Sequence, residues 1–588
     1  MVDTNTTNEQ NSFDLKITTS WLNDSALLTI KSNESVGIRA GCDICCVIDI
    51  SGSMSSEVNI QSGDKIERSG LSQLDIAKHA LKTIINSLTE NDRLSVVSFD
   101  NRAKIVFELK PMDDQGRQFA TQKVEGLRTA GSTNLWDGLK TGLDVLSSQQ
   151  RTNNSNAALF LLTDGDPTEI PTGGHLVALE EYKKQKNFTC SVNTFGFGYT
   201  LDSQLLDDLA RIGNSGSYAF IPDGTFVGTV FVNAISNLLT TVATNIKLTI
   251  EDPQANIDQS SIYLANYSKE DNQNKVSKSA KRFKLLKSCF FPITKENQSE
   301  TPKTLRLNLG SLIFGQTKNV VVPMSFEQFE NLNVTLDYQS AFGQKTKQTK
   351  LINKIEANEK VFNQQKHRLE LVHFIRQKRE YALQSGNALQ SNDPNIFNDL
   401  QILQQNIENH ATDDEYLADL LKDLTGQVQE ALCKLEWFHK WGRHYLPSLA
   451  NAHLYELCNN FKDPGVQHYG KGELFDKIRD EMDSIFCGLP APVQSIAHSY
   501  DSPSTPISMS AFNNSNGVCF HGSCTVKLLD GSIKFVRDIQ RGDQLYPHGG
   551  QVRYVVQTMY QQPRSPMVLV RILSFLFLRS KQRNRFLV

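Results

Sequence analysis

The stretch DICCVIDISGSMS, residues 43–55, decides the fold. Ile44, Cys45, Cys46, Val47 and Ile48 form an apolar run without polar alternation, the pattern of a strand buried on both faces. Asp49, Ser51 and Ser53 follow, a carboxylate and two hydroxyls that can turn toward one point as the chain leaves the strand, with Gly52 permitting a sharp bend. Such hard oxygen donors suit Mg²⁺, with Mn²⁺ or Ca²⁺ as alternatives. Cys42, Cys45 and Cys46 make a C-x-x-C-C pattern, but no second pair stands at zinc-ligand spacing, so these thiols read as strand positions.

Outward from this stretch, residues 94–99, 157–162 and 191–197 repeat the apolar run. Between the runs lie helical patterns: Leu74, Ala77, Leu81, Ile84 and Leu88; then Leu135, Leu139, Leu143 and Leu146; then Leu205, Leu206, Leu209 and Ile212. Alternating strand and helix predicts a parallel, doubly wound α/β sheet over residues 40–243. Its ligands belong at the carboxyl ends of the strands. Thr133 in AGSTNLWDGL opens the second helix and Asp164 in ALFLLTDGD ends the third strand, so both belong to the rim that carries Asp49. No G-x-x-x-x-G-K-[ST] phosphate cradle occurs, which argues against phosphoryl transfer by these carboxylates.

Asp49, Ser51, Ser53, Thr133 and Asp164 together resemble the metal-ion-dependent adhesion site (MIDAS) of von Willebrand factor type A domains, and FGFGYTLDSQLLDDLA, residues 195–210, is similar to the following strand and helix of that family. The resemblance implies direct ligation by Ser51, Ser53 and Thr133, with Asp49 and Asp164 holding the ion through waters. It also implies an open coordination position for an acidic side chain of a protein partner, hence binding rather than turnover.

The chain has 588 residues, so several domains are expected. Residues 1–39 alternate from Phe13 to Ile30 and are expected to lend a strand to a β-sandwich at 244–353, where Ile246, Leu248, Ile250, Leu305, Leu307, Leu309, Val334, Leu336 and Tyr338 repeat at period two. The polar stretch 268–281 is expected as a loop. Residues 354–487 read as an all-α domain, with Ile396, Leu400, Leu403 and Ile407 on one face and a capping box from Thr412 to Glu415 ahead of Leu417, Leu420 and Leu424. Within it, residues 440–470 resemble the helical region that accompanies this kind of domain in proteins that join it to a Hint module, and its histidines read as packing groups. Residues 488–516, rich in Ser, Pro and Asn, are expected as a flexible linker.

Residues 517–588 begin GVCFHGSCTV, similar to the opening of the Hint fold of hedgehog and intein autoprocessing domains, and are expected as a truncated, partial all-β module. By that resemblance Cys519 is the nucleophile of an N-to-S acyl shift at Val518, which gives an alternative function, self-cleavage between Val518 and Cys519. The family's T-x-x-H helper is missing, since His521 and His548 follow Val518 and Leu545 at that spacing.

Net charge of −3 with 21% charged residues implies no nucleic-acid partner. The N-terminus has no apolar signal region, and residues 572–578 are too short a run to span a bilayer, so a soluble, cytoplasmic chain with reduced cysteines and no transmembrane segment is expected.

Overall fold

The computed structural model describes the backbone of residues 15–33, 39–62, 65–148, 156–251 except 187, 189 and 214–215, 261–269 except 265–266, 304–341, 345–350, 355–356, 358–458, 463–496 and 509–513, and short stretches between 519 and 574. The chain opens with strands β1 (Lys16–Leu22), β2 (Ser25–Lys31) and β3 (Cys42–Asp49), then the hairpin β4 (Glu57–Ser62) and β5 (Lys65–Ser72), helix α1 (Gln73–Ser87), β6 (Arg93–Phe99) and β7 (Ala103–Pro111). Helices α2 (Asp114–Glu125) and α3 (Leu135–Ser148) lead to β8 (Asn156–Thr163), α4 (His175–Lys186), β9 (Ser191–Phe197), α5 (Ser203–Ile212), β10 (Tyr218–Ile221) and α6 (Val227–Leu239).

Six of these strands form one sheet in the order β10-β9-β8-β3-β6-β7, parallel except for β7. The strand order reverses at β3, which has β6 on one side and β8 on the other. At such a switch point the connecting loops diverge and leave a crevice beyond the carboxyl ends. Asp49 ends β3 and Asp164 follows β8, so both stand at that crevice.

Every residue of β3 is buried. Its side chains alternate between two apolar clusters, Cys42, Ile44, Cys46 and Ile48 entering one, and Cys45 and Val47 the other. The cysteines therefore pack as the sequence implied, and burial pushes the Cys42 and Cys45 thiols up to about 12. Neither cluster stops at the edge of the α/β region. The first continues through Leu28, Leu248, Leu307 and Leu336 into the β-rich region and through Phe486 into the last helix, while the second continues through Ile375, Leu400, Leu420 and Leu449 into the helical region.

Strands β11 (Thr241–Glu251), β12 (Ser268–Lys269), β13 (Thr304–Ile313), β14 (Thr317–Pro323), β15 (Asn333–Ser340), β16 (Lys345–Lys350) and β17 (Ile355–Glu356) complete two further sheets, β12-β13-β11-β15-β16 and β14-β2-β1-β17. The alternation at 13–30 is thus two strands, and β2 pairs antiparallel with β14 from Ser25↔Pro323 to Lys31↔Thr317. The α/β region therefore sits, in chain order, between strands of one sheet. Leu15 N donates to the Tyr338 hydroxyl (3.1 Å) across the two sheets. The expected loop at 268–281 begins with β12, and the part from 270 onward lies outside the described residues.

Helices occupy much of 359–488, among them Glu359–Ser385, Pro394–Glu408, Glu415–Asp423, Arg443–Tyr455 and Glu473–Gly488. The expected Thr412 capping box is replaced by Asp414, whose carboxylate accepts from Leu417 N (3.2 Å), Asp413 taking a left-handed φ of 60° just before it. A carboxylate is the stronger acceptor at a helix N-terminus, because it also opposes the helix dipole. Among the described residues no helix is long and apolar enough to cross a membrane.

The stretch expected as a flexible linker departs from that expectation where it is described. Gln494 Nε2 donates to Ser69 O (2.9 Å), Ile496 N to Gly70 O (3.1 Å), and the Thr229 hydroxyl to Asn513 Oδ1 (2.9 Å). Met509 and Phe512 are 2% and 0% exposed against the first cluster. Two apolar anchors suffice to dock a segment whose average composition is polar. Beyond it lie the strands Cys519–His521, Thr525–Lys527, Ile533–Phe535, Gln544–Leu545, Arg553–Gln561 and Met567–Ser574, with Cys519 opposite Leu569. Val518 and the side chain of Cys519 lie outside the described residues.

Phe512→Ala is expected to destabilise the fold by about 3–5 kcal/mol, the usual cost of emptying a fully buried phenylalanine site. Thermal melting checks it, and a curve superimposable on wild type would show that residues 509–513 do not hold the domain.

Candidate metal centre

The loop after β3 turns directly into a short 3-10 helix, Gly52–Ser55, which carries Ser53 back over the end of the strand. Asp49 Oδ1 accepts from Ser51 N (2.8 Å), and Asp49 Oδ2 accepts from the Thr163 hydroxyl (2.6 Å) at the end of β8. The Ser51 and Ser53 hydroxyls are 3.1 Å apart, and Ser53 Oγ donates to Asp164 Oδ1 (2.7 Å). A β-carbon on Gly165 would lie 3.7 Å from Ser53 Oγ and 3.8 Å from Thr133 Oγ1, so Thr133 faces the same space. The five residues expected from sequence thus form one connected cluster. Asp49, Ser51, Thr133 and Asp164 are buried, and Ser53 is exposed at the mouth.

Main-chain hydrogen bonds bring the Thr133 loop to this place. Gly52 N donates to Gly131 O (3.1 Å), Ala130 N to Ile50 O (2.7 Å), and Thr168 N to Thr133 O (2.9 Å). The left-handed glycine of the rim is Gly131 (φ 67°) rather than Gly52, and a β-carbon there would come within 2.4 Å of Asn101 Oδ1. Asn134 Oδ1 accepts from Asp137 N (3.1 Å) and caps α3, which fixes Thr133 just outside the helix. Thr163 and Thr168 were missed from sequence. Thr163 ends the buried run 158–163 of β8, where no alternation marks which residue faces Asp49, and Thr168 lies in a loop with no period at all.

The electrostatics of the cluster are those of a cation seat. Burial pushes the Asp49 carboxyl upward despite hydrogen bonds from Ser51 and Thr163, and burial together with the Asp49 charge pushes Asp164 up to about 6. No Lys, Arg or His among the described residues offsets either charge. Two buried carboxylates with only hydroxyl and main-chain N–H partners are costly unless a cation is shared between them. The donor set of two carboxylates and three hydroxyls fits a hard, oxygen-seeking ion, with no thiolate or imidazole to favour a softer one. Among the described residues no group of three His, Cys, Asp or Glu side chains offers a second site.

Residues 43–232 match the family model of the von Willebrand factor type A domain. The chain carries a VWA domain at these residues. Residues 414–484 match the model described as VWA / Hh protein intein-like, over the helical region that follows. An uncharacterized protein of Synechocystis sp. is 30% identical over 220 residues, 37% of this chain and 47% of that protein. Inter-alpha-trypsin inhibitor heavy chain H1 of Mesocricetus auratus is 30% identical over 175 residues, 29% of this chain and 17% of its own length. These alignments span less than half the length of either relative. The solved von Willebrand factor type A protein from Catenulispora acidiphila is 15% identical, covering 70% of this chain and 89% of that one at a TM-score of 0.46.

The VWA cluster gives a pH prediction. In the metal-free chain Asp164 titrates at about 6 when folded, against about 3.9 when unfolded. Its contribution to stability is therefore full below the unfolded value and is lost as pH rises through the folded one. The gap in melting temperature between magnesium and chelator should be small near about pH 5 and wide near about pH 7.5. Asp164→Asn should flatten that dependence; an equal gap for wild type at both pH values would contradict it.

Proposed function

We propose that this chain is a divalent-cation-dependent protein-binding scaffold, in which the VWA domain captures an acidic side chain of a partner protein. The observation that carries this reading is the pair of buried carboxylates, Asp49 and Asp164, joined through hydroxyls and without a basic partner among the described residues. Ser51, Ser53 and Thr133 would hold the ion with them, Mg²⁺ first, with Mn²⁺ or Ca²⁺ as alternatives. When bound, the cation supplies an electrophilic seat for a carboxylate. Ser53, exposed at the mouth, is where a partner would approach, while Thr163 and Ser51 N hold the Asp49 carboxylate in one orientation. We read binding rather than turnover because both carboxylates and all three hydroxyls of the cluster would be committed to holding the ion.

The surrounding architecture suits a scaffold. We read the two further sheets, antiparallel but for the β1–β17 pair, as one sandwich that frames the VWA domain on one face, with the helical region covering the other. Both share apolar clusters with the central sheet, so the VWA rim is packed against its neighbours.

Magnesium should stabilise the fold by mass action, by about 2.7 kcal/mol at a hundredfold excess over its Kd, and so raise the melting temperature, and Asp49→Ala should abolish that rise. A melting temperature indifferent to magnesium in wild-type protein at neutral pH would sink the reading.

A further inference from the structure

The helical region reaches the rim of the metal centre. Loop 198–202, after β9, is tied to the centre by Thr200 Oγ1, which donates to Asp164 O (3.3 Å). The same loop is tied to the helix Arg443–Tyr455: the Ser203 hydroxyl donates to Arg443 O (3.4 Å), and His444 Nδ1 lies 3.0 Å from that hydroxyl. His444 stacks on Phe220 at 5.6 Å, and Phe220 meets the Tyr199 ring at 6.0 Å. These contacts hold the turn before the helix against the VWA loops.

Two cations come with it. Lys440 is exposed, its Nζ 6.0 Å from the centre of the Tyr199 ring. Arg443 is half-buried and makes a side-chain hydrogen bond from Nε to His444 Nε2 (3.0 Å). Its charge is felt by Asp166, in the loop that also carries Asp164, although burial first and Asp202 second hold that carboxyl above its usual range. Neither cation forms an ion pair among the described residues. Apolar surface accompanies them: Tyr199 is 37% exposed and Ile170, in the Asp164 loop, 74%. A half-buried Arg with exposed Tyr and aliphatic side chains around a charged seat is the composition of a protein interface. The acids Asp166 and Asp202 on the same loops oppose a polyanion such as nucleic acid.

We propose that the partner-binding face is composite, running from the metal centre past Tyr199 to Lys440 and Arg443 of the helical region, and that it takes a protein segment bearing two acidic side chains. One carboxylate belongs to the metal centre. The second faces Lys440 and Arg443, on the far side of loop 198–202, which touches Asp164 through Thr200 and Lys440 through Tyr199. This rests on the cation-dependent reading of the VWA domain given above and adds the second acid, the order of chemistry along the partner and the contribution of the helical region.

The test uses the full chain in magnesium against an array of short synthetic peptides, each with one fixed Asp and a second Asp or Asn scanned along the following positions. Wild type should bind two-acid peptides at one favoured spacing about fivefold or more tightly than their Asn counterparts. A Lys440→Ala, Arg443→Ala chain should bind both kinds at the single-acid level, and Lys440→Glu, which leaves Arg443 untouched, should also lose the preference. Asp49→Ala should lose all peptide binding. If the double variant and Lys440→Glu, melting as wild type does, keep the preference, or if wild type never shows it, the composite face is wrong while the metal reading stands. If Asp49→Ala binds as wild type does, or wild type binds no peptide in a magnesium-dependent way, the underlying reading falls and this one with it.

Discussion

Two carboxylates, Asp49 and Asp164, are held in a protein interior with hydroxyls for company and no cation among the described side chains. Buried charge of one sign is a constraint that the rest of the domain must satisfy. The sheet satisfies it geometrically: β3 and β8 are adjacent and parallel, so their carboxyl ends emerge side by side, and the strand order reverses there, so nothing fills the gap. The hydroxyls of Ser51, Ser53 and Thr163 then orient the oxygens without neutralising them. The protein supplies hydrogen bonds to these oxygens and, among the described residues, no counter-charge.

The second constraint is the two-sided burial of β3. A strand whose every residue is covered needs an apolar layer on each face. Here α1 and α6 cover one face and α3 and α5 the other. Each layer is then extended by a different neighbour, the β-rich region with the last helix on one side and the helical region on the other. The domains read from composition share cores instead of owning them.

The neighbours are also tied to each other. Arg368 is 0% exposed and donates to His453 O (2.6 Å), Asn319 O (2.8 Å) and Gln365 Oε1 (2.8 Å), while pairing with Glu456 (3.0 Å). Lys318 of β14 reaches Tyr455 O, and burial holds its amine down at about 8. Asn319 N donates to Glu456 Oε1 (3.0 Å). A buried arginine is tolerated only when its planar donors are nearly all used, so this knot fixes the helix Arg443–Tyr455 relative to β14. The same helix meets the VWA loops at its other end, which is how Lys440 and Arg443 come to the metal rim.

Much of this was legible in the chain itself. Unbroken apolar runs and 3.6-residue periods marked the parallel sheet and its helices, because burial on both faces leaves no other pattern. Asp49, Ser51, Ser53, Thr133 and Asp164 were legible because a strand end is the one place in such a sheet where hydroxyls and acids are not needed for packing. What the sequence by itself could not determine was everything that depends on contact across long separations. The role of Thr163 needs β8 beside β3, the docking of residues 509–513 needs α6 beside them, and the contact of Ser203 with Arg443 needs two regions folded against each other. Local periodicity reports which side of an element faces an interior; only tertiary structure decides which interior, since apolar burial has no direction of its own and many partners satisfy it equally.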